Sequence, residues 1–229
     1  MNTNKRTARV AGLLYLIVAI TGFFSPYVRG IIIVNGDASA TANNIMNSEC
    51  LFRFGLVSDL IMVTSWILLV FALYKLFESV NKNYGLLMIA FVLVGSAITC
   101  INALNKYAAL LVLNGAGYFT TFETGQLQGL AMLFLDLCKS GNYIAHIFFG
   151  LWLFPLSYLV IKSGFIPQIL GALLAVAGFG YLIDFFTFFL FPNFGVAVTP
   201  FTFWGELLLL LWLLIKGVAV QKPATTEAG

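Results

Sequence analysis

Six stretches of this chain read as bilayer-spanning helices, each built on roughly 20 mostly apolar residues, and that leaves few folds open to it. They are residues 8–27, 51–77, 85–113, 143–161, 169–191 and 201–215. In lipid every backbone N–H and C=O must find a partner within the protein, so continuous apolar runs of this length fold as helices. A barrel would need strands of alternating polarity between turns, and the sequence does not offer them. Charged residues make up 9% of the chain, far below the roughly one quarter of an ordinary soluble domain. The expected fold class is all-α: a polytopic membrane protein with six transmembrane helices in one bundle. Residues 1–222 form its single domain and 223–229 a disordered cytoplasmic tail.

Lys and Arg set the orientation. Lys5, Arg6, Arg9, Lys75, Lys82, Lys162, Lys216 and Lys222, eight of the twelve basic residues, fall on one side if the spans alternate. By the positive-inside rule that side is the cytoplasm, which places both termini there and the chain in a bacterial cytoplasmic membrane. The net charge of +3 reflects this bias and gives no reason to expect nucleic acid. The basic residues before the first span suggest a signal peptide. Its apolar run is too long for one, however, and no small-x-small site follows it closely. It is read as a retained helix.

The outer side carries loops near 28–50, 114–142 and 192–200. Within 31–49, Asn35-Gly36-Asp37 signals a turn, and Asp37 or Ser39 can cap a short interfacial helix running to Asn47. Residues 126–138 are apolar but too short to span; they form either a separate outer-face helix or a forward extension of the fourth helix. Pro155 should kink that fourth helix, since it removes one backbone bond. In the fifth span Gly171, Ala175 and Gly178 share a face suited to close packing. Cys100 reads as a small core residue, and Cys50 and Cys138, both near the outer face, as unlinked thiols or, in an oxidising compartment, a bridged pair.

Charges within the spans are the functional clue. Asp59, Lys106, His146, Asp184 and Glu206 sit where each charge costs about 2.5–3.5 kcal/mol even on a mild insertion scale. Asp59 lies about 12 Å below the outer surface, Glu206 and His146 about 8 Å, and Asp184 about 26 Å into a core of about 30 Å counted from the cytoplasm. Asn102 and Lys106 approach the same level from below. Asp136, Lys139 and His146 recur at helical spacing on one face of an unbroken fourth segment. With Arg53 at the headgroups, the expected outer-half layer comprises Arg53, Asp59, Asn102, Lys106, Asp136, Lys139, His146, Asp184 and Glu206. Its near-balance of charge predicts paired ions.

Three readings stay open. The leading one is a non-enzymatic protein that binds or translocates a small polar or amphipathic ligand, or a proton, through this layer. The second is an intramembrane lipid-modifying enzyme with His146 and a carboxylate as its acid–base pair. The third is an accessory subunit in which the charges only lock the helices. No metal site and no cofactor are expected, since one histidine without spaced cysteines is a poor ligand set. The lipid bilayer is the only firm partner; protein partners are not specified. The run Phe185-Phe186-Thr187-Phe188-Phe189 reads as an aromatic belt.

A set of local strings runs through the chain: Tyr27-Val28-Arg29-Gly30, Val34 with Gly36-Asp37-Ala38, Leu51-Phe52-Arg53, Ser58-Asp59-Leu60, Leu135-Asp136-Leu137, Lys162-Ser163-Gly164-Phe165-Ile166-Pro167 and Gly180-Tyr181-Leu182-Ile183-Asp184. Together they resemble a bacterial family of six-helix integral membrane proteins of unknown function, over nearly the whole chain. The resemblance implies an inner-membrane protein without an established activity. It carries over Arg53, Asp59, Asp136 and Asp184.

Overall fold

The computed structural model describes residues 3–115, 117–191 and 195–217. The expected tail at 223–229, Lys222 and the start of the last outer loop at Pro192 lie outside them. Among the described residues every regular element is helical: α1 (Thr3–Ile32), α2 (Ala38–Asn47), α3 (Glu49–Phe77), α4 (Lys82–Leu113), a short 3₁₀ turn (Gly117–Phe119), α5 (Thr124–Leu151), α6 (Leu153–Ser163), α7 (Gln168–Leu190), α8 (Thr199–Thr202) and α9 (Trp204–Ile215).

Five helices are long and apolar enough to cross a membrane, with α5 and α6 counted as one segment, Thr124–Ser163. Residues 126–138 therefore extend the fourth helix forward and do not stand apart. Glu123 and Gln126 close a capping box at its start, so the turn before α5 supplies its own acceptors. The kink expected at Pro155 appears as a break at Trp152, between α5 and α6. Proline has no N–H to return to Leu151, the residue four before it, where α5 stops. Residues 201–215 give the shorter α9, 12 residues long.

Asp37 caps α2, its carboxylate accepting from the Ala40 amide at 2.8 Å. Thr41 and Asn44 then bind the chain leaving α1, through Val34 and the Ile32 carbonyl. In this way the polar segment between α1 and α3 folds into a cover over one end of the bundle.

The long helices pack in a circuit: α1 on α3, α3 on α4, α4 on α5 and α6, these on α7, α7 on α9, and α9 back on α1. Glycine permits the closest approaches. Gly150 and Gly178 lie backbone to backbone, and so do Gly205 and Leu173. The circuit encloses side chains: Tyr15, Trp66 and Trp152 meet ring to ring in its middle, among Leu69, Met88, Leu156 and Leu210. A second apolar cluster, Val28, Ile32, Phe52, Leu110 and Leu135, lies under Ile45 of α2. Gly217 packs beside Lys5 and Ala8, which brings the last described residues to the start of α1.

Candidate functional site

Between the two apolar clusters the four helices α1, α3, α4 and α5 carry polar residues. α1 supplies Ser25, α3 Ser58 and Asp59, α4 Thr99, Asn102 and Lys106, and α5 Asn142 and His146. A buried polar group in hydrocarbon needs a partner, and most of these find one nearby. Lys106 donates to Ser25 Oγ at 2.8 Å and forms an ion pair with Asp59. Asn102 donates to the Cys138 carbonyl at 2.7 Å and to Asn142 Oδ1 at 2.8 Å. Ser58 donates to the Thr21 carbonyl at 3.0 Å. Four helix pairs are thereby pinned, α1–α3, α1–α4, α3–α4 and α4–α5.

The other expected members of the layer stand apart from this stratum. Glu206 accepts from the Tyr15 hydroxyl at 2.8 Å and from the Tyr181 hydroxyl at 3.0 Å. Tyr15 belongs to the larger apolar cluster and precedes Ser25 by ten residues, or about 15 Å along α1. The expectation of a single height is corrected here: Glu206 keeps the level of Tyr15 in the larger apolar cluster and not that of Ser25 and Lys106.

Asp184 is buried and meets no cation among the described residues. Its two oxygens accept from the backbone amides of Val198, at 2.5 Å, and Thr199, at 2.9 Å. These are the first amides of the α8–α9 segment, which have no helical acceptor of their own. The carboxylate also complements the positive end of that segment.

Arg53 is half-exposed and pairs with Glu49 one turn back on the same helix. Asp136 is exposed, and only its carbonyl is engaged, by Ser140. Both leave the buried layer because α3 and α5 turn those positions outward. The predicted charge balance fails for the same reason. Of the carboxylates expected in the layer, Asp59 alone faces a cation, while amides and phenols satisfy Asp184 and Glu206.

His146 sits in an aromatic frame of Tyr143, Phe149 and Tyr181, with ring centroids 5.1–5.9 Å away. Its Nδ1 is buried without a hydrogen-bond partner. The carboxylate bond needed for an acid–base pair is not formed among the described residues.

Lys139 emerges on the same face of α5. Its ammonium lies 5.7 Å from the centroid of the Phe188 ring, which stacks on Tyr143 at 3.9 Å and 11°. These three residues, with Asp184, Thr187, Phe191 and residues 195–197, line a cleft of about 220 Å³. Phe188 therefore lines a slot, whereas Phe186 and Phe189 of the expected belt are exposed.

Sequence reasoning left out Arg29, Ser25, Tyr15 and Tyr181. Arg29 is half-buried, and among the described residues no ion pair or side-chain hydrogen bond reaches its guanidinium. Its signal was available as a basic residue on the outer side, where the orientation rule leaves few. The three cysteines are free. Cys138 is buried, Cys50 exposed, and Cys100 points outward from α4 and not into the core.

Comparison with known proteins gives two matches. Residues 10–217 match the family described as a domain of unknown function, DUF4386. An uncharacterized protein of Archaeoglobus fulgidus is 36% identical over 157 residues, 68% of this chain and 78% of that one. No solved structure matches.

Proposed function

Since the chain belongs to the DUF4386 family, whose description names no activity, we propose a function from the site alone: this is a multi-pass membrane protein that binds a small anionic amphipath in the cleft between α5 and α7. The observation that carries the reading is Lys139. Among the described residues no carboxylate lies within ion-pair distance of its ammonium, and it stands over an aromatic wall beside Thr187 and Tyr143. Asp184, the nearest acid in the cleft lining, has its oxygens engaged by backbone amides. A cation, a hydroxyl and apolar rings together suit an anionic head with a short apolar tail.

The volume limits the ligand. At about 220 Å³ the cleft is smaller than the roughly 300–1,000 Å³ of sites that enclose a drug-sized molecule. It suits the head and first carbons of a single-chain amphipath, with the remainder lying in lipid past Phe191. Binding is favoured over translocation because aromatic and aliphatic side chains fill the middle of the helix circuit.

The membrane arrangement belongs to the same proposal. Together α8 and α9 take residues 199–215, about 26 Å of helix if continuous, which supports a sixth crossing. Lys5 beside Gly217 supports both termini on one side, and the basic bias makes that side cytoplasmic.

The test compares decanoate with decanol on the purified protein in nanodiscs, by calorimetry. Decanoate should bind at least about tenfold more tightly, and Lys139→Gln should abolish the difference. The empty variant should melt within about 2 °C of the parent, because the substitution is near the surface. Equal affinity for both probes, or full decanoate binding by the variant, would overturn the reading.

A further inference from the structure

A second, smaller cavity shares no lining residue with that cleft. Its lining includes Ser25, Arg29, Phe52, Gly55, Lys106 and Cys138. About 20 Å³ is open to a water-sized particle, and one such particle needs roughly 10–15 Å³. The space therefore admits a single water or a monatomic ion and is too small for a phosphate or carboxylate group.

Charge decides between them. Two cations border the cavity, Arg29 and Lys106, and their charges reach the Cys138 thiol in its wall together with that of Asp59, two cations against one carboxylate. One carboxylate, Asp59, answers Lys106, and nothing among the described residues answers Arg29. Lys106 has three N–H donors and uses two, on Asp59 and Ser25; Arg29 has five. Around them stand Val28, Ile33, Phe52 and Leu135, part of the apolar cluster beneath α2. An excess positive charge against apolar walls is costly unless a counter-ion accompanies it.

We propose that this cavity is a binding site for one monatomic anion, chloride in the physiological case, held by Arg29 and the free donor of Lys106. The ion completes a row of alternating charge, Arg29, halide, Lys106 and Asp59, which ties α1 to α4 and α3 beneath the α2 cover. The inference is independent of the α5–α7 cleft, because Lys139 takes no part in it.

The experiment uses the full chain, purified in detergent with sodium gluconate as the only salt. Titrating sodium chloride at constant ionic strength should raise the melting midpoint saturably, by about 3–5 °C once chloride exceeds its dissociation constant tenfold. Arg29→Gln should remove the rise. Crystals grown in sodium bromide should show one anomalous peak between Arg29 and Lys106, a readout that needs no variant. An equal rise with gluconate, a rise that persists in Arg29→Gln, or a bromide map with no peak there would overturn the proposal and leave a water in the cavity.

Discussion

Lys106 on α4 and Asp59 on α3 form a part-buried ion pair, with side-chain exposures of 9% and 17%. Breaking such a pair from one side strands the other charge, at about 3–5 kcal/mol. Asp59→Asn and Lys106→Met should each lower stability by about that amount. The double variant should recover most of the loss, because no stranded ion remains. A double-mutant cycle from chemical unfolding in detergent measures the coupling. Additive losses would mean that the pair is not what holds α3 to α4.

Asp184, a buried carboxylate on the apolar helix α7, acts as a cap for the last helical segment. Asp184→Ala should cost about 3 kcal/mol, since two amides lose a charged acceptor. Asp184→Asn keeps one acceptor oxygen and should cost about half as much. Both effects should be read as loss of thermal midpoint without ligand. Decanoate binding should weaken only as far as the 195–197 wall loosens.

Glu206 holds α1, α7 and α9 together through two phenols, and neutral chemistry can replace it. Glu206→Gln offers one acceptor and one donor, so each tyrosine hydroxyl keeps a partner. Its cost should stay near 1 kcal/mol. Glu206→Leu leaves two buried hydroxyls without acceptors and should cost about 2–4 kcal/mol. Tyr15→Phe and Tyr181→Phe should each be mild, near 1 kcal/mol. Denaturation midpoints of the four variants check this order.

Gly205 faces the α7 backbone so closely that a methyl group would lie 2.5 Å from the Leu173 carbonyl carbon. Backbone cannot step aside as a flexible side chain can. Gly205→Ala should therefore cost about 1–3 kcal/mol by forcing α9 off α7, more than Gly125→Ala, where nothing lies within 4 Å. Comparative melting of the two variants tests the contrast.

The long helices were legible because lipid imposes a local rule: an apolar run must satisfy its own backbone, and helices do so within a single segment. The α2 helix was readable from Asp37, whose cap is a three-residue relation. The break before Pro155 followed from one missing N–H. The depth of Glu206 was not readable, because it depends on residues 195–198 returning beside Asp184 before α8 begins. The isolation of Arg53 and Asp136 was equally hidden, since helix rotation is set by partners distant in the chain.

By itself the sequence determined that this protein is a member of the DUF4386 family built of helices long and apolar enough to cross a membrane, because hydropathy and backbone satisfaction act residue by residue along each segment. Only the tertiary structure decided which buried charges meet. Asp59 found Lys106, Asp184 found the Val198 and Thr199 amides, Glu206 found two tyrosines, and Arg29 and Lys139 were left without a carboxylate. Pairing is a property of facing helix surfaces, and with hydrogen-bond reach near 3 Å a rotation of one residue is enough to change the partner.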